Sequence, residues 1–455
     1  MDHFGVKLAV LSAFLLVFAL AIRKNRVFVV PFILLFYSNI NGLLDWEDFA
    51  LKGLIKFQDY GLILAMGLLV QHIMSRSFRE PDYVKVARGT ALYNVINAFW
   101  FYYIGLFLLS VFLQGPLWPV KMGRTFFYGL FVYVAYREIM LDPLLKFGQL
   151  LRFMMWATLF FACLYILYNL TNLPIYPKGD HEVFVTSYLE ANNVKRNFSG
   201  FPTFTHFFLF YFVDRLLRGE GSRPFNLVAV TMLSTCVVMM LTRYTLAITV
   251  ACVLFLVFYR RHSLRMLARL VAASAALALL LPLIAVFADT YVSTLTSRFD
   301  ELATHGLLGS SNVRVRIEEF QLVLSNVMDF DPLFGFGFTV PMGFGYRSNV
   351  WHAGSADNGF TNILGVTGFV GLVAFAALFV AWITVNRRLR ALNAESLSRV
   401  TFTFILFVLA GMMNNAHAGY FHYYGVFMVY DLFAYAYLKH KAGTKPSGAA
   451  QPALT

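Results

Sequence analysis

Long apolar runs separated by short polar stretches recur along nearly the whole chain, and a run of about 20 apolar residues is enough to cross the hydrocarbon core of a bilayer. Read against their polar flanks, the runs predict spans at 5–22, 27–44, 59–74, 90–113, 125–141, 153–170, 204–219, 226–242, 244–259, 267–288, 366–385, 400–416 and 424–438. The pattern is that of an all-α polytopic integral membrane protein with about thirteen transmembrane helices (about 12–14). Residues 1–440 form a single transmembrane domain, and a Gly-, Pro-, Ala- and Ser-rich tail at 441–455 is expected to be disordered and cytoplasmic. Two polar excursions interrupt the runs, at 171–203 and 289–365. The second is expected to fold as a helical lid over a pocket at the membrane surface.

Composition agrees with this pattern and narrows it. The 455 residues are 59% hydrophobic and only 13% charged, with a mean hydropathy of +0.65, far too apolar for a soluble domain. The formal charge of +13 sits in small clusters between spans, not on one face, which argues against nucleic acid as a partner. Alternation of the spans puts Arg76/Arg79/Lys85/Arg88, Lys146/Arg152, Arg218/Arg223, Arg260/Arg261/Arg265/Arg269, Arg387/Arg388/Arg390/Arg399 and Lys439/Lys441 on the side of Arg23, Lys24 and Arg26. By the positive-inside rule that side is cytoplasmic, so both long excursions face outward. Because these first basic residues follow the 5–22 run instead of preceding it, the run reads as a retained span and not as a signal peptide. Cys163, Cys236 and Cys252 lie within apolar runs without metal-ligand spacing, so neither a disulfide nor a metal site is expected.

Candidate chemistry concentrates at the outer face. Arg243 follows an apolar run at the outer boundary with no acid within a helical turn. It is either a snorkelling arginine or, as the missing partner favours, a fixed cation awaiting an anion. Residues 311–328 read as an amphipathic helix whose apolar stripe is Val313, Ile317, Phe320 and Leu324, with Pro332 just beyond its end. Arg314 falls near Glu318, its i+4 partner, and reads as a solvated ion-pair member. Arg316 falls to the other side of the stripe, beside Val323 and Val327, on the face expected to pack on the membrane domain. It is expected to point at the pocket, with a pair to Glu319 as the alternative. A glycine-rich run follows at 335–345, either an anion-cradling loop or, more commonly, a tight aromatic-walled turn. Trp351, His352, Asp357 and Asn358 close the excursion and suit sugar handling: an aromatic face for stacking and a base for a hydroxyl proton. Asp357 and Asn358 serve equally as the N-cap of the next helix. The earlier excursion carries Lys195 and Arg196, which add to an anion site, and the last outer loop carries His417 and His422 among aromatics, either in a substrate groove or as interfacial anchors.

In their order these residues resemble the O-antigen polymerase and O-antigen ligase superfamily of bacterial envelope polysaccharide enzymes. The resemblance rests on Thr242-Arg243, on Arg316-x-x-x-Phe320, on Pro332-x-x-Gly335-x-Gly337, on Asp357-Asn358 followed by Ile363-Leu364, and on Gly368-x-x-Gly371. It is strongest over residues 240–371. It implies an inverting C-type glycosyltransferase in the bacterial inner membrane, with its active site facing the periplasm. The donor would be an undecaprenyl-pyrophosphate-linked glycan, with no cofactor and no metal. Membrane lipids and a chain-length regulator protein are the further partners implied. Arg243 and Arg316 would hold the pyrophosphate; Arg196 and Arg314 are further candidates for it, and Trp351, Asn358 and His422 are the candidates for the glycan. Ligases of the group carry His-Asn where this chain has Asp357-Asn358, which favours a chain polymerase and leaves the base open between His352 and Asp357. The alternatives are a ligase or protein O-oligosaccharyltransferase with the same donor, and a lipid-linked-sugar flippase resting on Asp214, Arg215 and Asp431.

Overall fold

The apolar runs fold as helices. The computed structural model describes residues 4–37, 49, 55–74, 80–171, 202–240, 243–259, 304, 311–338, 359–392, 395–413 and 421–444. Its α-helices are α1 (Phe4–Lys24), α2 (Val29–Tyr37), α3 (Phe57–Met74), α4 (Val84–Arg88), α5 (Ala91–Gln114), α6 (Leu117–Phe127), α7 (Phe131–Ile139) and α8 (Pro143–Thr171). They continue with α9 (Pro202–Arg218), α10 (Arg223–Met239), α11 (Arg243–Tyr259), α12 (Ser311–Phe330), α13 (Gly359–Ala391), α14 (Glu395–Gly411) and α15 (Phe421–Thr444). Among the described residues, Ala91–Gln114, Pro143–Leu167 and Gly359–Ala391 are long and apolar enough to cross a bilayer. Shorter apolar helices cover Arg26–Tyr37, Arg223–Met239, Tyr244–Phe258 and Leu397–Gly411. The architecture is that of a helical membrane protein. The expected span at 267–288 lies outside the described residues.

Three expected spans depart from the sequence pattern. The one expected at 153–170 opens early, at Pro143. The run at 125–141 is broken: α6 ends at Phe127, a 3₁₀ turn covers Tyr128–Leu130, and α7 resumes at Phe131. The turn presses its backbone onto α5, where a Cβ at Gly129 would meet Trp100 Cη2 at 2.6 Å. The tightened turn also aims Tyr128 at α3, where its hydroxyl donates to Asp59 Oδ1 at 2.7 Å. The span expected at 366–385 begins earlier, at Gly359, and breaks at Gly368, whose φ of 61° and ψ of −164° leave the helical region.

At the centre stands α15, buried on every side from Tyr423 to Ala436, as a helix apolar all round must be. It packs on α4, α7, α8 and α13. Its one acid in this stretch, Asp431, accepts from Trp382 Nε1 at 2.8 Å and from Asn386 Nδ2 at 3.0 Å, both on α13. The basic ends of the helices are pinned by acids. Arg26 meets Glu138 at 3.1 Å, and the fully buried Asp214 is shared by Arg218 at 2.8 Å and Arg399 at 3.7 Å.

The break in α13 is where the outer excursion is fastened. Asp331 ends α12 by accepting on Oδ1 from the N–H groups of Leu333 (2.9 Å) and Phe334 (3.0 Å), while Pro332 prevents the helix from continuing. The turn that follows trades hydrogen bonds with the break. Phe336 and Gly337 donate to the carbonyls of Gly365 and Val366 at 2.8 and 2.9 Å, and Phe369 and Val370 donate back to those of Pro332 and Leu333 at 2.9 and 3.1 Å. Four groups released by the kink thus find partners in the turn, as buried backbone requires. The approach is so close that a Cβ at Gly335 would lie 2.5 Å from Gly368 N, and one at Gly368 would lie 2.4 Å from Leu333 O. Helix α5 supports both halves: Tyr102 donates to Thr367 O at 2.6 Å, and Phe338 N donates to Ser110 Oγ at 3.0 Å. Of the two readings of the glycine-rich run, the described part, Gly335–Phe338, is the tight aromatic-walled turn; residues 339–345 lie outside the described residues.

Candidate active site at the start of α11

Helix α12 carries its chemistry on two faces. Successive residues turn by about 100°, so Arg314 and Arg316 point about 160° apart. Arg314 is exposed and pairs with Glu318 at 2.9 Å, the i,i+4 ion pair its spacing predicts. Its Nε is engaged there, on the solvated side of α12. Arg316 is half-buried on the flank of Val323 and Val327, which are fully buried against Phe336 and Leu364. The packed seam is therefore Arg316–Val323–Val327. The stripe read from the sequence stays open beside it, with Ile317 43% and Phe320 38% exposed. The compact β-branched valines suit the close contact with the glycine turn, and the bulkier stripe residues are turned out of it.

Arg316 is engaged within the chain. It lies near enough to act electrostatically on the Tyr244 hydroxyl. Tyr244 is the second residue of α11, and Arg243 is the first. The Tyr244 hydroxyl donates to Ala410 O at 2.9 Å, and two residues further on, Met412 O accepts from Gly359 N, the first residue of α13, at 2.8 Å. The last turn of α14 thus brings together the N-terminal ends of α11 and α13. A helix start carries a partial positive charge, so the start of α11, with Arg243 at its first position and Arg316 within electrostatic range of Tyr244, suits an anion. One helical turn below Ala410, Phe407 stacks on the buried His206 of α9 with ring centroids 4.3 Å apart.

The other residues singled out from sequence are distributed as follows. Helix α13 opens directly after Asn358, but Asp357, Asn358, Trp351, His352 and Arg196 lie outside the described residues. His422 is the second residue of α15. Tyr244, Tyr102, Ser110 and His206 were not among the sequence candidates. Tyr244 was within reach, since it follows Arg243 directly.

Comparison with known proteins bears on this geometry. Residues 227–376 match the O-antigen ligase family model. The match supports the O-antigen polymerase and ligase superfamily. Among curated proteins, none matches the chain. The matched segment runs from α10 through α11 and α12 and past the break in α13. It therefore contains both arginine positions and both halves of the clasp, while α5, which braces the clasp, lies outside it.

Proposed function

We propose that the protein is a polysaccharide polymerase acting on undecaprenyl-pyrophosphate-linked repeat units at the periplasmic face of the bacterial inner membrane, anchored by about thirteen spans. The observation that carries this reading is Arg316 lying within electrostatic range of Tyr244, the residue after Arg243 at the start of α11, inside the segment similar to O-antigen ligases. The non-reducing-end hydroxyl of the incoming repeat attacks the anomeric carbon of the lipid-linked glycan. The carbon–oxygen bond to pyrophosphate breaks, and its electron pair leaves with the pyrophosphate. The hydroxyl proton passes to His352 or Asp357. Arg243 and Arg316, with the positive start of α11, hold the leaving pyrophosphate, whose charge grows as the bond breaks. A guanidinium fork suits that task because it is planar and permanently charged, and no metal is needed for it. Arg196 is assigned to the rim of the same site, and Trp351, Asn358 and His422 to the sugars.

A ligase using the same donor is the second reading, favoured by the description of the matching family. The flippase reading loses ground because Asp214 and Asp431 are tied into helix packing. The deciding experiment is reconstitution of the purified protein in liposomes with one defined lipid-linked repeat and no other acceptor. A ladder of longer lipid-linked glycans is expected. Transfer only after lipid A core or a peptide is added would establish the ligase instead. Movement of the lipid across the bilayer without a new glycosidic bond would overturn both.

A further inference from the structure

We propose that α12 is an interfacial helix, seated with its open apolar stripe in the outer leaflet of the bilayer. The packed seam of α12 accounts for Val323 and Val327 and leaves a second apolar face partly open: Ile317, Phe320 and Met328, the last 56% exposed, run along one side for three turns. Glu318, Ser325 and Asp329 lie with Arg314 on the exposed side turned away from the packed seam. A helix with an apolar stripe, a charged opposite face and little net hydrophobicity is the kind that lies in a membrane interface.

What covers the stripe follows from what it adjoins. The clasp ties the end of α12 to the point where the long spanning part of α13 begins. There Leu333 and Phe334 are exposed, and below them Phe369, Val370, Val373 and Val380 form the open face of a helix long enough to cross a bilayer. Leu324, on the stripe, and Leu372, beside Val373, pack on the same four-residue cluster of Val323, Val327, Phe336 and Leu364, so the two open faces meet. Lipid already bathes one of them, and the same lipid reaches the other. The seating holds Arg316, on the adjoining seam, at headgroup depth. It goes beyond the chemistry proposed above and stands or falls without it.

The test is nitroxide accessibility on the full chain in nanodiscs of phosphatidylethanolamine and phosphatidylglycerol. Cys163, the exposed native cysteine, is replaced by alanine. Labels are placed at Ile317→Cys, Phe320→Cys and Met328→Cys, and for comparison at Ser325→Cys and Asp329→Cys. All five positions are exposed, so each tolerates substitution independently of the others. Expected is a ratio of oxygen to nickel-chelate accessibility several-fold higher at the first three than at the last two. Equal nickel accessibility at all five would place the stripe in water and overturn the proposal. Shielding of the first three from both reagents would also overturn it, because a second copy or another protein segment would then be the cover.

Discussion

The two arginines of α12 differ by two positions in sequence and by nearly half a turn in space, and their substitution separates the packed face from the solvated one. Arg316→Ala is expected to lower the rate of glycan transfer by about 10²–10³-fold, the size of effect seen when one donor to a developing oxyanion is removed. Arg316→Lys keeps the charge but loses the fork, and an intermediate rate is expected. Arg314→Ala removes an exposed i,i+4 pair of the sort that contributes about 0.3–0.5 kcal/mol, so transfer should stay within about twofold of the parent. Initial rates with a defined lipid-linked substrate check all three, and equal loss at both positions would refute the division of labour. Tyr244→Phe removes the hydroxyl bonded to Ala410 O at the helix junction. A hydrogen bond of this kind contributes about 1 kcal/mol, and a lower melting temperature in detergent is the expected reading.

Among the elements, the clasp between the turn after α12 and the break in α13 is the contact on which the placement of Arg316 depends. Gly335→Ala and Gly368→Ala each force a side chain onto backbone atoms closer than 3 Å at a positive φ. The left-handed conformation alone costs a non-glycine residue about 1–2 kcal/mol, and the collision adds to it. Both variants should melt earlier and lose transfer activity. Gly105→Ala and Gly148→Ala serve as controls: each lies within a helix with nothing within 4 Å of the added atom, so helix propensity predicts up to about 1 kcal/mol of gain. Thermal unfolding followed by fluorescence separates the two pairs. The sequence made the parts of the clasp visible, Pro332-x-x-Gly335-x-Gly337 and Gly368-x-x-Gly371, but not their union. The bonds joining them run between backbone groups some thirty residues apart, and backbone groups leave no side-chain pattern to read. The break at Tyr128–Leu130 was hidden for a related reason: a glycine inside an apolar run is unremarkable until Trp100 is known to lie against it. The stripe of α12 was legible as apolar, yet periodicity cannot say which of two adjoining apolar faces meets protein and which stays open.

For the whole molecule, the order of spans was readable because length and apolarity determine a membrane helix almost alone. Which helix stands at the centre was not, since α15 is no more apolar than its neighbours. It is marked out by Asp431, held by Trp382 and Asn386 of α13. Asp431→Leu leaves two buried donors without an acceptor, at about 1–3 kcal/mol each, whereas Asp431→Asn retains one acceptor oxygen. The leucine variant should therefore melt well below the asparagine variant, and the reverse order would show that the acid is tolerated there and not needed. The clasp has a consequence at this scale as well. The chain departs at Phe338 and returns at Gly359, and the four bonds between 332–337 and 365–370 fix both points of departure and return to each other. Phe338 and Gly359 are thus paired anchor points whose separation is set by the framework of α5, α12 and α13, whatever sequence joins them.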